Sequence, residues 1–337
     1  MFNFNVPRYE KVVKDAIALR PQIEKAVDEI CEQGYSNLFF IGCGGTYAHS
    51  LPMVYWMDTT SNIEKHTVIA AEFMAMGHKR FSKDSVCIFS TRSGNTKEIV
   101  AAAKFCKEAG ARTIVYVSND NTPVCEYADY KLYSFAEDDC LCEAIYTYMF
   151  TLVGRFMKNA GEFPKYEAFM DQYAGIVPYL LKAKEQYEDR CAVMAKEHKD
   201  TGYHMVIGSG MLWGEAYDYA MCILEEMQWI RTKSIHAAEY FHGTLELVEE
   251  DTSLILFYGE DETRPLMDRV MDFSKKITKV INVFDTKEVE LPFTDPEFRK
   301  IVSPMVMYAI TERLSCHLEH ERSHPLTTRR YYRQMEY

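Results

Sequence analysis

The sequence predicts an α/β protein built as two related halves, each a parallel sheet covered by helices on both faces. Three observations carry this. Short apolar runs alternate with helix-patterned stretches of ten or more residues, the signature of βαβ units. The succession of strand, glycine turn and helix occurs twice, at Gly42-Cys43-Gly44-Gly45-Thr46 and again at Gly208-Ser209-Gly210. The 337 residues, at about 150 per domain, make roughly two domains, and a composition 47% hydrophobic and 26% charged excludes disorder as the main state.

Each element has a local reason. Val12, Val13, Ala16 and Ile17, then Ile23, Ala26, Val27 and Ile30, recur at helical spacing, with Pro21 suited to a first turn and Gly34 to a stop, so two helices open the chain. Asn37-Leu38-Phe39-Phe40-Ile41 is a buried strand feeding the glycine turn and a helix to about Met57. Further strands are expected at 67–71, 85–89 and 113–117, with a helix over 96–109. Residues 141–200 read as mostly helical; a strand at 203–207, a helix at 212–229 and strands at 253–258 and 278–284 make the second half. The expected boundaries are 1–35 for the opening helices, 36–160 for the first α/β domain, 161–200 for linking helices, 201–320 for the second domain and 321–337 for a tail. There is no short-period repeat and no low-complexity segment.

Acidic residues number 50 against 38 Lys and Arg, a formal net charge of -12, which disfavours a surface built to neutralise duplex nucleic acid. A bound anion must be small and met by focused donors. Several of the ten cysteines sit in apolar runs, such as Val86-Cys87-Ile88-Phe89 and Met221-Cys222-Ile223-Leu224, and the cysteines read as small buried hydrophobes in a reducing compartment. Cys140-Leu141-Cys142 is the one close pair and has no second pair to complete a metal site; His317, His320 and His324 lack a flanking ligand pattern. Neither a signal peptide nor a membrane span is indicated, so a cytoplasmic protein is expected.

Three segments carry possible chemistry. Ser90-Thr91-Arg92-Ser93-Gly94-Asn95-Thr96 lies between a strand and a helix, where hydroxyls, an Arg and free helix N–H groups suit a phosphate; the plainer alternative is a polar turn in which Thr96 caps its own helix. It has no Walker A lysine. The Gly42–Thr46 turn lacks the spacing of a dinucleotide fingerprint and reads as a place where backbone approaches a ligand. Glu225, Glu226, His236, Glu239 and His242 sit among apolar and aromatic residues, a setting for proton transfer, although Glu225 and Glu226 on a solvated face and His236 packed in the core would be the ordinary fate of each. The tail Arg329-Arg330-Tyr331-Tyr332-Arg333 is a basic and aromatic patch that would either cover an anionic site or pair with surface carboxylates.

These segments together resemble a known family. The glycine turn and Ser93-Gly94-Asn95-Thr96 look like the first half of a sugar isomerase (SIS) domain protein, and Glu239-Tyr240-Phe241-His242-Gly243 resembles the Gly-Glu-x-x-His-Gly-Pro-Leu signature of the isomerase part of glucosamine-6-phosphate synthase, with Ala238 in place of the Gly and Thr244 in place of the Pro. A closer likeness is to bacterial fructosamine-6-phosphate deglycases, through Cys222-Ile223-Leu224, Glu226-Met227-Gln228-Trp229-Ile230, Ile235-His236-Ala237, Asp261-Glu262-Thr263-Arg264-Pro265-Leu266, His324-Pro325-Leu326, Arg329-Arg330-Tyr331 and Glu336-Tyr337. The resemblance spans nearly the whole chain and implies two tandem SIS domains of flavodoxin-like, three-layer αβα fold, the tail lying near the active site.

By the same resemblance, Gly45, Thr46, Thr91, Arg92, Ser93, Asn95 and Thr96 hold the phosphate and sugar, Glu226 shuttles a proton between C1 and C2, and His242, supplied by a neighbouring subunit in a homodimer or higher homo-oligomer, assists ring opening and acid-base work. Glu226 and His242 are sixteen positions apart, the family's spacing. Glu239, Arg264 and the tail are candidates for contacting the amine. Ile223 stands where glucosamine-6-phosphate synthase has a lysine, which disfavours glutamine-dependent amination. The implied reaction converts a fructosamine 6-phosphate, such as fructoselysine 6-phosphate, and water to glucose 6-phosphate and a free amino acid, a C–N hydrolysis for which no metal, flavin or nicotinamide cofactor is expected. The alternatives are a glucoselysine-6-phosphate deglycase, an amino-sugar-phosphate isomerase and a non-catalytic sugar-phosphate sensor.

Overall fold

Two parallel sheets organise the chain, in a computed structural model that describes residues 1–136 and 141–336. Cys140 of the Cys140/Cys142 pair and Tyr337 of the tail lie outside the described residues. Contacts divide the chain into one unit of Asn5–Val177 and another of Met1–Phe4 with Pro178–Tyr337.

In the first unit the strands are β1 (Asn37–Gly42), β2 (Lys65–Ile69), β3 (Ser85–Thr91), β4 (Arg112–Val117) and β5 (Tyr130–Tyr133), ordered β2-β1-β3-β4-β5. β1 and β3 are buried along their whole length, which is why they read as unbroken apolar runs rather than as alternation. Phe39, Ile41, Cys87 and Phe89 pack on one face against Phe73 and against Ile99, Ala102 and Cys106 of helix Lys97–Glu108. The opening helices are Val6–Ala18, where Asn5 Oδ1 accepts the Arg8 N–H at 3.0 Å, and Arg20–Gln33, with Pro21 in its first turn and Gly34 at its end. Strand order reverses between β1 and β3, so the loops after these two strands flank the switch point, where open α/β sheets bind ligands.

The second unit holds β6 (Tyr203–Gly208), β7 (Arg231–His236), β8 (Ser253–Tyr258) and β9 (Ile281–Asp285), all parallel and ordered β7-β6-β8-β9. This is the order of β2-β1-β3-β4, so β8 is the counterpart of β3. Helices Val177–His198, Arg264–Ser274 and Pro296–Glu321 accompany it. Among the described residues no helix is long and apolar enough to cross a membrane.

Several expected elements shift. The strand expected at 67–71 is Lys65–Ile69, because helix Ala70–Met76 begins where the strand was to continue. β9 likewise starts at Ile281 rather than at 278. Two strands, β5 and β7, carry no signal in the sequence: β5 has four residues, and Arg231-Thr232-Lys233-Ser234-Ile235-His236 is a polar edge strand with no apolar run to announce it. The single helix expected over 212–229 is instead a 3-10 turn Gly210–Leu212, a short α-helix Trp213–Asp218 and a π-helical segment Tyr219–Glu225.

Candidate active site

The loop after β3 is closed from within. Thr91 ends the strand and is buried; its Oγ1 accepts the Gly94 N–H at 3.2 Å, while Ser93 Oγ accepts that of Asn95 at 3.5 Å. The loop after β4 braces it, Asn119 Nδ2 donating to the Arg92 carbonyl and the Val124 N–H to the Gly94 carbonyl, each at 3.0 Å. Gly94 has φ +61°, and a Cβ there would lie 1.9 Å from Thr122 Oγ1, so backbone and space both demand glycine. Arg92 and Asn95 are exposed. Helix Lys97–Glu108 starts beside them with Thr96 at its N-cap, and the Thr96 side chain makes no capping hydrogen bond. The self-capping alternative therefore does not hold, and a helix N-terminus meets hydroxyls and a guanidinium in one loop, the donor set an anion needs.

In the turn after β1, Thr46 Oγ1 donates to the Cys43 carbonyl at 3.0 Å and accepts the Cys43 N–H at 3.2 Å, and Gly45 begins helix Gly45–Thr60. Gly42 is sterically fixed, since a Cβ would come within 2.5 Å of Tyr47 N. Among the braces, Asn119 and Thr122 were missed in the sequence. Their signal was the polar run Ser118-Asn119-Asp120-Asn121-Thr122 directly after a strand.

In the second unit Glu226 follows the π-helical segment, its N–H donating to the Met221 carbonyl five residues back at 3.0 Å. Such wide turns are rare and concentrate at functional sites. The two adjacent carboxylates part company here. Glu225 Oε1 accepts from Thr232 Oγ1 at 2.7 Å and serves structure, whereas Glu226 Oε1 accepts from Arg329 Nε at 2.9 Å. Both belong to the lining of a cavity of about 1230 Å³, with Trp229, Arg231, Arg329 and Arg330 among its other walls. The tail is docked there by specific contacts: Gln228 Nε2 donates to the His324 carbonyl at 2.8 Å, and the Trp229 ring carries the Arg330 guanidinium at 4.0 Å and the His324 ring at 4.4 Å.

His242 and Glu239 share the turn after β7, the His242 N–H donating to the Glu239 carbonyl at 2.9 Å. Both side chains are exposed. The His242 ring has no hydrogen-bond partner among the described residues and does not line the Glu226 cavity. His236 is half-buried rather than packed in the core: Nδ1 accepts the Ala238 N–H at 3.2 Å, the ring packs on Trp213 at 5.4 Å, and burial pushes its pKa below the usual histidine value. Arg264 lies over the Tyr258 ring and pairs with Asp285, Nη1 reaching Oδ1 at 2.9 Å. His317 bonds Glu188 at 3.2 Å, the His317 and His320 rings rest on Phe2, and these histidines form no metal-holding group with His324 among the described residues.

The loop after β8 occupies the place of the β3 loop but carries Glu260, Asp261 and Glu262. Asp261 Oδ2 accepts the Met211 N–H at 3.0 Å and Oδ1 accepts from the Thr263 N–H at 2.8 Å. Arg299 grips Glu260 through two bonds of 2.8 Å, and Lys300 pairs with Glu262. The second loop thus carries carboxylates where the first carries hydroxyls and an arginine.

A SIS-domain model matches residues 34–154. Over 318 residues the chain is 31% identical to the fructosamine deglycase of Bacillus subtilis (strain 168), covering 94% of this chain and 97% of that protein. This chain belongs to the SIS-domain deglycase family. The fructoselysine 6-phosphate deglycase of Escherichia coli (strain K12) is 22% identical over 97% of this chain and 93% of its own length. The crystal structure of a candidate phosphosugar isomerase from Bacillus subtilis matches with a TM-score of 0.86 at 31% identity, over 96% of this chain and 99% of that one. As a SIS-domain deglycase family member, the chain carries its two parallel sheets as tandem SIS domains, as the sequence predicts.

Proposed function

We propose that this chain is a cytoplasmic deglycase that converts a fructosamine 6-phosphate and water to glucose 6-phosphate and a free amino acid. The observation that carries the reading is Glu226, set by a π-helical segment on an arginine-lined cavity, in a chain related end to end to a fructosamine deglycase. Thr91, Arg92, Ser93, Asn95 and Thr96, with Gly45 and Thr46 near the sugar, hold the phosphorylated substrate. Glu226 and His242 move the protons, and the exposure of His242 away from the Glu226 cavity supports a homodimer in which the partner subunit supplies the imidazole. Glu239 and Arg264 remain the proposed contacts on the amine side.

The chemistry balances with these groups. In the open-chain substrate the C2 carbonyl acidifies C1–H; a base takes that proton as the carbonyl oxygen gains one, giving an enaminol. Protonation at C2 then yields the Schiff base of glucose 6-phosphate. Water adds at C1, its oxygen becomes the aldehyde oxygen, and the C–N bond breaks as the amine leaves with a proton. A carboxylate and an imidazole suffice for every transfer.

The test couples the purified protein, given fructoselysine 6-phosphate and related fructosamine 6-phosphates, to glucose-6-phosphate dehydrogenase. NADPH formation is expected, and Glu226→Gln and His242→Ala should each lose about 10²- to 10⁴-fold in kcat while still binding substrate. Binding without turnover by the wild type across the panel would refute the reading in favour of a sensor.

A further inference from the structure

We propose that Arg329 is a specificity residue: its guanidinium passes from Glu226 to a carboxylate on the amine half of the substrate, so that the enzyme selects amines bearing a carboxylate close to the nitrogen. The inference rests on the deglycase reading above. In the ligand-free chain Arg329 Nε donates to Glu226 Oε1 at 2.9 Å, and Nη1 is fixed by the carbonyls of Leu326 at 2.6 Å and Thr328 at 2.9 Å. The guanidinium is thus held by the tail's own backbone, independently of Glu226. That tail is in turn docked through Gln228 and Trp229, two and three residues beyond Glu226. The charge of the cavity is unusual for this chain: Arg231, Arg322, Arg329 and Arg330 face Asp200, Glu225 and Glu226, an excess of cations in a protein of net charge -12.

A carboxylate oxygen that accepts from a guanidinium is a weaker acceptor for a further proton, so a substrate group that draws Arg329 away frees Glu226 Oε1 to act. A substrate carboxylate can take the place of Glu226 Oε1 on the Arg329 Nε–H, and the exchange replaces one charge-assisted bond by another. A neutral amine offers no replacement and leaves Arg329 on Glu226. Reach then limits where the carboxylate stands. Glu226 works at C1 and C2, and in a glycine-type adduct the carboxylate carbon is three bonds from C1, near enough for a residue already in contact with Glu226. The 6-phosphate lies at the opposite end of the sugar.

The experiment measures kcat/KM for glucose 6-phosphate release from two 6-phosphofructosyl amines that differ only in a carboxylate, the glycine and the methylamine adducts. The wild type should prefer the glycine adduct by about 10- to 100-fold, the worth of one charge-assisted hydrogen bond, and Arg329→Gln should bring that ratio close to one. Arg329→Lys, which keeps the charge and loses the fork, should fall between and serves in place of the Gln variant if that fails to fold. A ratio unchanged in the variants overturns the inference; this includes both substrates falling together, as they would if Arg329 held the phosphate or only the fold. Release of glucose 6-phosphate from neither adduct by a wild type that turns over fructoselysine 6-phosphate overturns this inference alone, whereas inactivity on fructoselysine 6-phosphate and the related fructosamine 6-phosphates as well sinks the deglycase reading and this inference with it.

Discussion

Replacing Gly94 by alanine tests the β3 loop at its tightest point. The new methyl would lie 1.9 Å from Thr122 Oγ1 and 2.4 Å from Thr122 Cβ, at a residue whose φ is +61°. The left-handed backbone costs about 1–2 kcal/mol for a residue with a Cβ, and forcing a methyl into occupied space adds about 1–3, so a loss of about 2–5 kcal/mol is expected. For a unit of this size that lowers the melting temperature by roughly 5 to 15 °C, read by circular dichroism. Because Thr122 Cβ itself is too close, Thr122→Ala should rescue little. Thr122→Gly should remove the steric part and leave the backbone part, giving a coupling energy of about 1–3 kcal/mol in a double-mutant cycle. A Gly94→Ala protein melting within a degree of wild type, or a strictly additive cycle with Thr122→Gly, would refute the description of this loop.

Two other expectations concern neighbouring and distant groups. Thr96→Ala removes a hydroxyl that does not cap its helix, so thermal stability should change by less than about 0.5 kcal/mol, against about 1 for a working cap, while KM for the sugar phosphate rises about tenfold; a large stability loss with unchanged KM would restore the capping interpretation. His204 is buried beside Ser253, and burial pushes its pKa down to about 4 from an ordinary value of 6.5. The unfolded chain therefore takes up this proton first, and stability should fall by ~3 kcal/mol as pH drops from about 6.5 towards 4. Urea titrations of wild type and His204→Asn across that window check it, the variant showing the flatter dependence.

What could be read in the sequence divides along physical lines. β1, β3, β4, β6 and β8 are interior strands, and their continuous apolar runs announce them, as do the glycine turns. β5 and β7 are edges with polar faces, so their register comes from pairing with β4 and β6 and leaves little local pattern. The π-helical segment was hidden for another reason: Tyr219-Ala220-Met221-Cys222-Ile223-Leu224-Glu225 suits an α-helix equally well, and tertiary packing decides. At the site, the hydroxyl loop stood out by its position between strand and helix. The Arg329–Glu226 pair joins residues 103 positions apart, and the tail's arginines suggested only that some anion would be met.

Asp261 gives the second half of the molecule a tethered anion. A dissolved ligand stabilises the state it binds in proportion to the logarithm of its concentration, and that contribution vanishes when the ligand is scarce. A carboxylate joined to the loop by the chain itself has a fixed effective concentration, so the Ser209–Thr263 region keeps its order at any level of solute. If the hydroxyl loop of the first half holds the sugar phosphate as proposed, solute-dependent stabilisation belongs to that half alone.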